Sequence, residues 1–144
     1  MATFLRTEMT PSHLNLRSAE FLPGHFGLQV TAITAGQLTM NMDIRPFMLA
    51  PNGFLHAASI VTLADTACGY ATMAHLPEGA ENFTTIELKS NFFATQKTGT
   101  LTCVATAAHA GRNTQVWDAE VLSDSGKKLA LFRCTQMVLW PKAK

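Results

Sequence analysis

Apolar and polar positions change their spacing several times along the chain. Residues 10 to 22 carry a helical pattern, opened by Thr10 or Ser12 beside Pro11 and closed before Pro23-Gly24, which predicts one short peripheral helix. Two strand patterns follow, Gly27 to Ile33 and Gln37 to Ile44, joined at Thr34-Ala35-Gly36 by a turn whose glycine suits a tight hairpin. In the second, Leu38, Met40, Met42 and Ile44 alternate with Thr39, Asn41 and Asp43, so one face is expected on the core.

Residues 56 to 75 are poor in Gly and Pro and apolar on nearly every side. Their small or polar residues Ser59, Thr62, Asp65, Thr66, Gly69 and Thr72 recur every three or four positions, a narrow stripe on a helix that needs cover on most sides. Four more strand patterns, at about 82 to 93, 99 to 109, 113 to 123 and 127 to 139, are punctuated by Thr98-Gly99, Gly111 and Ser125-Gly126 and read as an antiparallel meander. Strand and helix do not alternate, so no parallel sheet is called for. The expectation is an α+β fold: a long central helix of roughly 30 Å, wrapped by a curved antiparallel sheet of about six strands, with one short N-terminal helix. A single domain over residues 1–144, with its core at about 26–139, holds all of it.

Charge and cysteine usage narrow the function classes. Eleven Lys/Arg nearly balance ten Asp/Glu for a net charge of +1, and no basic run exceeds Lys127-Lys128, which argues against a nucleic-acid arm or a polybasic membrane patch. Cys68, Cys103 and Cys134 are odd in number and lie within apolar runs, so a reducing, cytoplasmic setting is expected. The first ten residues hold Arg6 and Glu8 and no apolar run of signal-peptide length. The most apolar region, Phe47 to Leu76, is interrupted by Pro51, Asn52, Gly53, Asp65 and Gly69, so no spanning helix is expected. The five histidines show no HxH, HxxxH or HExxH spacing, and GxSxG, GxxxxGK[ST] and GxGxxG are absent. Neither a metal nor a cofactor is predicted. Cys68, one turn from Asp65, reads as a packed thiol.

Between Arg45 and Glu78 the only formally charged side chain is Asp65, in the middle of the apolar helix. A carboxylate there must shift its pKa, find a partner or line a wet or ligand-binding cavity. Three and four residues away stand Val61, Thr62, Cys68 and Gly69, none of them a charged partner. One reading has Asp65 satisfied by Thr62 and Thr66, or facing solvent on the polar stripe. The other makes it a general base or nucleophile tuned by its surroundings.

The helix start, Asn52-Gly53-Phe54-Leu55-His56-Ala57-Ala58, leaves backbone N–H groups at the positive end of the helix dipole, suited to an anionic oxygen. Together with a buried carboxylate it supplies the donor and the base of acyl transfer. Ala57 and Asp65 are eight residues apart on one helix, hence about 12 Å along its axis. If both act on one carbonyl, they come from different subunits, which predicts a symmetric dimer with two interfacial sites.

Residues 53 to 67, GFLHAASIVTLADTA, resemble the G-x-x-H-G-G-x-x-x-x-L-x-D-x-A signature of hotdog-fold acyl-CoA thioesterases of the phenylacetate-degradation, PaaI-like type. The likeness extends over about residues 26 to 139, with Thr84 to Phe92 similar to the strand after that family's helix and Gly111 to Thr114 similar to its later turn. The resemblance implies that Asp65 activates water or attacks the thioester, that the Ala57 N–H polarises the carbonyl, that His56 shapes the loop, and that the Thr85 hydroxyl orients the attacking water. It further implies an acyl-CoA substrate in contact with Asn52, Gly53, Phe54, Leu55 and Ala58. Pantetheine would thread between subunits of a homodimer or dimer of dimers, with Lys97 and Arg112 as candidates for the CoA phosphates. Tyr70 and Met73 join Phe54 and Leu55 as candidate linings of an apolar acyl pocket.

Two departures stand out. Ala57-Ala58 replace the paired glycines, and Ala50 stands where some relatives carry an amide side chain, with Asn52 offset from that place. The alanine pair keeps open a non-catalytic acyl-CoA binding or sensing module, and the fold itself keeps open a thioester hydratase or dehydratase. The hydratase needs a His paired with an acidic residue, and His56 and Asp65 are wrongly separated for that.

Overall fold

The computed structural model describes residues 4–143; residues 1–3 and 144, counted in the expected domain, lie outside them. Helix α1 spans Pro11–Ser18, with Thr10 as N-cap accepting the His13 N–H at 3.2 Å and Pro11 in the first turn, where its missing donor is not needed. The single helix expected over 10 to 22 is in fact two. Pro23 and Gly24 sit inside a second short helix, α2 (Leu22–His25), rather than ending the first. Proline is tolerated in an opening turn, and Gly24 folds against the end of α1 so closely that a Cβ there would lie 2.3 Å from the Ser18 carbonyl oxygen.

Strands β1 (Gln29–Thr34) and β2 (Gln37–Asp43) form the expected hairpin, turning at Ala35-Gly36 with Gly36 at φ +80°. Leu38, Met40 and Met42 are fully buried, as their alternation predicts. After a 3₁₀ turn at Pro46–Met48 comes the central helix α3, Ala57–Ala74, followed by β3 (Asn82–Phe92), β4 (Thr100–Ala110), β5 (Thr114–Leu122) and β6 (Lys128–Leu139).

All neighbours in the six-stranded sheet are antiparallel, in the order β1-β2-β4-β5-β6-β3. This corrects the four-strand meander. Only β4, β5 and β6 run consecutively; β3 crosses to the far edge and pairs with β6, because β2 occupies the open side of β4. Period-two alternation says which face of a strand is buried and nothing about its neighbour.

One face of the sheet packs against α3. The helix turns Ala64, Ala67, Ala71 and Ala74 toward the core, small residues that admit a close approach, and the indole of Trp117 fills the space with no exposed surface. Each large side chain buried this way is worth about 1.5–3 kcal/mol. The arrangement is the hotdog architecture implied by the sequence resemblance. Strand β3 forms the sheet edge furthest from the hairpin, and its apolar Ile86, Leu88 and Phe92 stay exposed.

Candidate active site

The loop into α3 is a compact hairpin. Leu49 bridges to Leu55, the Ala50 N–H donates to the Phe54 carbonyl at 2.7 Å, and Gly53 turns the chain at φ +85°, a conformation L side chains rarely adopt. Asn52 Oδ1 accepts the Phe54 N–H at 3.2 Å, so this side chain holds the turn. Leu55 is buried and its N–H donates to the Thr95 hydroxyl at 3.3 Å, tying the loop to the segment after β3. That segment also carries Lys97, whose Nζ lies 5.4 Å from the centroid of the exposed Phe54 ring and 3.8 Å from the place a Cβ would take on Gly53.

His56 is the N-cap of α3, and its Nδ1 accepts the Ala58 N–H at 2.9 Å. The proton of the neutral ring therefore sits on Nε2. The Ser59 N–H bonds the His56 carbonyl at 2.9 Å, and the Ser59 hydroxyl donates to the Met48 carbonyl at 2.8 Å. Among the described residues the Ala57 N–H makes no hydrogen bond outside the helix and, as the first residue of α3, has no carbonyl four residues back within it. Ala57 and Ala58 are both exposed. Among the described residues no non-glycine residue has positive φ, so alanine meets no backbone strain where the family pattern has glycine.

Asp65 stands two turns further along, half-buried, with Oδ1 out of contact with solvent and without a hydrogen-bond partner among the described residues. The Thr62 hydroxyl donates to the Ala58 carbonyl at 2.8 Å instead, so the reading in which Thr62 satisfies Asp65 is not what the helix does. Burial raises the Asp65 carboxyl above its usual 3.8. One turn on, Gly69 lies beneath the Phe83 ring of β3, 3.3 Å from where a Cβ would stand, so this face of α3 abuts the β3 side of the sheet.

Thr85 is exposed on β3 and lies opposite the fully buried Gln136 of β6. Directly opposed residues point to the same face of a sheet, so Thr85 lies on the α3 side. The register then slips between Thr85 and Glu87, a bulge that leaves Ile86 unpaired on the exposed edge.

The remaining candidates fall elsewhere. The Tyr70 hydroxyl shares a hydrogen bond with the Ser18 hydroxyl of α1, so Tyr70 belongs to the packing of the N-terminal helices on α3. Arg112 lies over the Trp140 ring, 4.3 Å from its centroid, and with His75 and Glu78 lines a pocket past the C-terminal end of α3. Lys97 is at the opposite end, so within one chain these two cations do not share a binding region. Cys68 is buried, and the neighbouring Cys134 thiol together with burial pushes its thiol well up, a setting for packing and not for nucleophilic attack. Burial alone raises Cys103 to about 12. Among the described residues no three His, Cys, Asp or Glu side chains converge as a metal site would need, and no helix is long and apolar enough to cross a membrane.

Three features escape sequence reasoning. Thr95 and Gln136 are ordinary loop and strand residues until their neighbours are known; among the described residues Gln136 Oε1 is the second buried side-chain oxygen without a partner. His75 caps the far end of α3, where Nε2 accepts the Gly36 N–H at 2.9 Å and Nδ1 lies 2.6 Å from the Ala71 carbonyl. The one available signal was an imidazole just past the last apolar turn.

Known proteins resemble this chain in sequence and shape. The family model of the Thioesterase superfamily matches residues 52–130, from the α3 entry loop into β6. Acyl-coenzyme A thioesterase PaaI of Escherichia coli (strain K12) is 30% identical over 107 residues, covering 74% of this chain and 74% of that protein. The 1,4-dihydroxy-2-naphthoyl-CoA hydrolase of Listeria monocytogenes is 28% identical over 109 residues, 76% of this chain and 88% of that one. The crystal structure of a mutant of thioesterase PA1618 from Pseudomonas aeruginosa superposes with a TM-score of 0.89 at 27% identity, covering 94% of this chain and 97% of that one.

Proposed function

This chain belongs to the thioesterase superfamily, in its PaaI-like hotdog branch, and as a thioester hydrolase of that family we propose that it cleaves an acyl-CoA to a free carboxylic acid and CoA. The observation that carries the reading is Asp65, a carboxylate half-buried in an apolar helix with one oxygen unpartnered and its pKa raised by desolvation. Ionised, it takes a proton from water while that water's oxygen bonds to the thioester carbonyl carbon. The Ala57 N–H receives the developing oxyanion at the positive end of α3. Collapse of the intermediate breaks the C–S bond, and the proton held by Asp65 passes to the departing thiolate. Alternatively Asp65 adds to the carbonyl itself and the C–S bond breaks to expel the CoA thiolate; water then hydrolyses the resulting anhydride, which regenerates the Asp65 carboxylate and releases the acid, whose proton passes to the thiolate. Thr85, on the α3 face of β3, would orient the water.

Helix geometry supports a homodimeric site. Ala57 and Asp65 lie about 12 Å apart along α3, so one carbonyl meets both only if each comes from a different subunit. The exposed β3 edge, with Ile86, Leu88 and Phe92 uncovered, is the surface such pairing would bury. Lys97, beside Gly53 and Phe54 at the helix entrance, would meet the CoA phosphates in this reading; Arg112 would do so only from another subunit.

Two other readings lose support. The alanine pair needs no positive φ, so backbone strain gives no reason to suppose a closed, binding-only site. His56 is committed to its capping bond and stands about 13 Å along the helix from Asp65, which does not suit the His–acid pair of a hydratase. The test is release of free thiol from aromatic, short, medium and long acyl-CoAs. Turnover on at least one is expected; saturable thermal stabilisation by acyl-CoA without thiol release would replace the hydrolase with a binding module.

A further inference from the structure

Among the described residues two buried side-chain oxygens have no hydrogen-bond partner, Asp65 Oδ1 and Gln136 Oε1, and they belong to one neighbourhood. Cys68, one turn along α3 from Asp65, is near enough for the carboxylate to raise its thiol, and the Cys134 thiol of β6 neighbours it from the sheet. Cys134 lies two residues before Gln136 on the same face of β6, and the Gln136 Nε2 donates to its Sγ at 3.3 Å. The Gln136 carboxamide is therefore bent along β6 toward the stretch of α3 that carries Asp65.

Gln115, opposite Gln136 on β5 and equally buried, shows how a structural amide on this face is satisfied. Its Nε2 donates to the His75 carbonyl at 2.8 Å, and its Oε1 accepts the Trp117 indole N–H at 2.9 Å. Gln136 spends only its N–H, and on a thiol, a weak acceptor. Buried polar groups ordinarily find partners, so an oxygen left over beside the candidate base calls for a donor. The cross-strand neighbour on the β3 side is Thr85, which is exposed at the open edge and can turn its hydroxyl between solvent and sheet. Directly opposed residues have Cβ atoms about 4.5–5.5 Å apart, within reach of a hydroxyl and a glutamine side chain.

We infer that Gln136 is a positioning residue for the hydrolytic water: its Oε1 accepts the Thr85 O–H, which leaves the Thr85 oxygen to accept a hydrogen bond from the water while Asp65 takes the water's other proton and the water oxygen bonds to the thioester carbonyl carbon. A hydroxyl has one proton, so this bond fixes its direction; without it Thr85 can donate to the water and occupy the lone pair that must attack. The inference rests on the thioester-hydrolase reading, with Asp65 as base and Thr85 at the water. Its test is kcat, KM and melting temperature for the wild type, Gln136→Met, Thr85→Val and the double variant, on an acyl-CoA that the wild type hydrolyses. Each single variant should lower kcat about tenfold with KM nearly unchanged, and the double variant should be no slower than the slower single one, because the two residues act through one bond. Thr85→Ser should recover most of the kcat lost in Thr85→Val. Gln136→Met should melt close to the wild type or above it, since the oxygen it removes has no partner in the free chain. Unchanged kcat in Gln136→Met, or losses that multiply in the double variant, overturns the inference. So does failure of both Gln136→Met and Gln136→Leu to fold, which would make the amide a structural element. A wild type without thiol release, or with turnover indifferent to Asp65→Asn, brings down the hydrolase reading itself, whereas Asp65-dependent turnover that ignores Gln136 rejects the positioning role alone.

Discussion

The imidazole of His56 accepts the Ala58 N–H at 2.9 Å and thereby leaves the Ala57 N–H as the outward donor at the head of α3. His56→Ala removes this cap. A lost N-cap costs about 1 kcal/mol, so the melting temperature should fall by several degrees, and thioester turnover should fall with it because the frayed helix start no longer holds the Ala57 N–H in place. His56→Asn, which can still cap, should recover most of the stability. Thermal melts of the three proteins check this.

Asp65 carries a cost to the fold. Its pKa is raised in the folded protein, so the folded state holds the proton to higher pH than the unfolded chain does. Stability is therefore lost as pH rises above the usual 3.8 and through the raised value, and the full penalty stands at neutral pH. Asp65→Asn should melt higher than the wild type at pH 7, and the gap should narrow as pH is lowered toward 4. A lower melting temperature for the variant at neutral pH would mean the carboxylate has a stabilising partner after all.

His75 produces the opposite slope. Burial lowers its pKa from the usual 6.5, and with the Gly36 N–H donating to Nε2 and the Ala71 carbonyl facing Nδ1 the ring is held neutral. The unfolded chain takes up the proton first, so the contribution of His75 is fully present above about pH 6.5 and is lost as pH falls below it. Melting temperature against pH should drop between 7 and 5 in the wild type. It should drop less steeply in His75→Gln, which starts from lower stability.

Ile86 tests the assembly. It is the bulged residue of β3, exposed and unpaired on the free edge, so Ile86→Lys should leave the monomer folded while weakening a dimer formed along that edge. Sedimentation should show at least a tenfold higher dissociation constant, and specific activity should follow the dimer fraction. A monomeric wild type with full activity would contradict the shared site.

Much of the fold is legible in the sequence. The alternation of Leu38, Met40 and Met42 and the apolar cylinder from 56 to 75 follow from side-chain period alone, and Asp65 stands out as the one charge between Arg45 and Glu78. Strand order does not follow, because β3 alternates equally well against β4 or β6. The split of the N-terminal helix depended on Gly24 packing against a carbonyl five to six residues earlier, and Pro-Gly reads as a stop unless that contact is known. The locations of Tyr70 and Arg112 were set by Ser18 and Trp140, contacts made at long sequence separation.

The central claim is that Asp65 performs the chemistry, and the most direct measurement of it is kcat for thiol release by Asp65→Asn against the wild type, on whichever acyl-CoA the wild type turns over, with both proteins folded to the same extent. Loss of a general base is worth about 100-fold or more. A drop of that size, with the melting temperature held or raised, is the predicted result. Turnover within a few-fold of the wild type would contradict the account and remove the carboxylate from the mechanism.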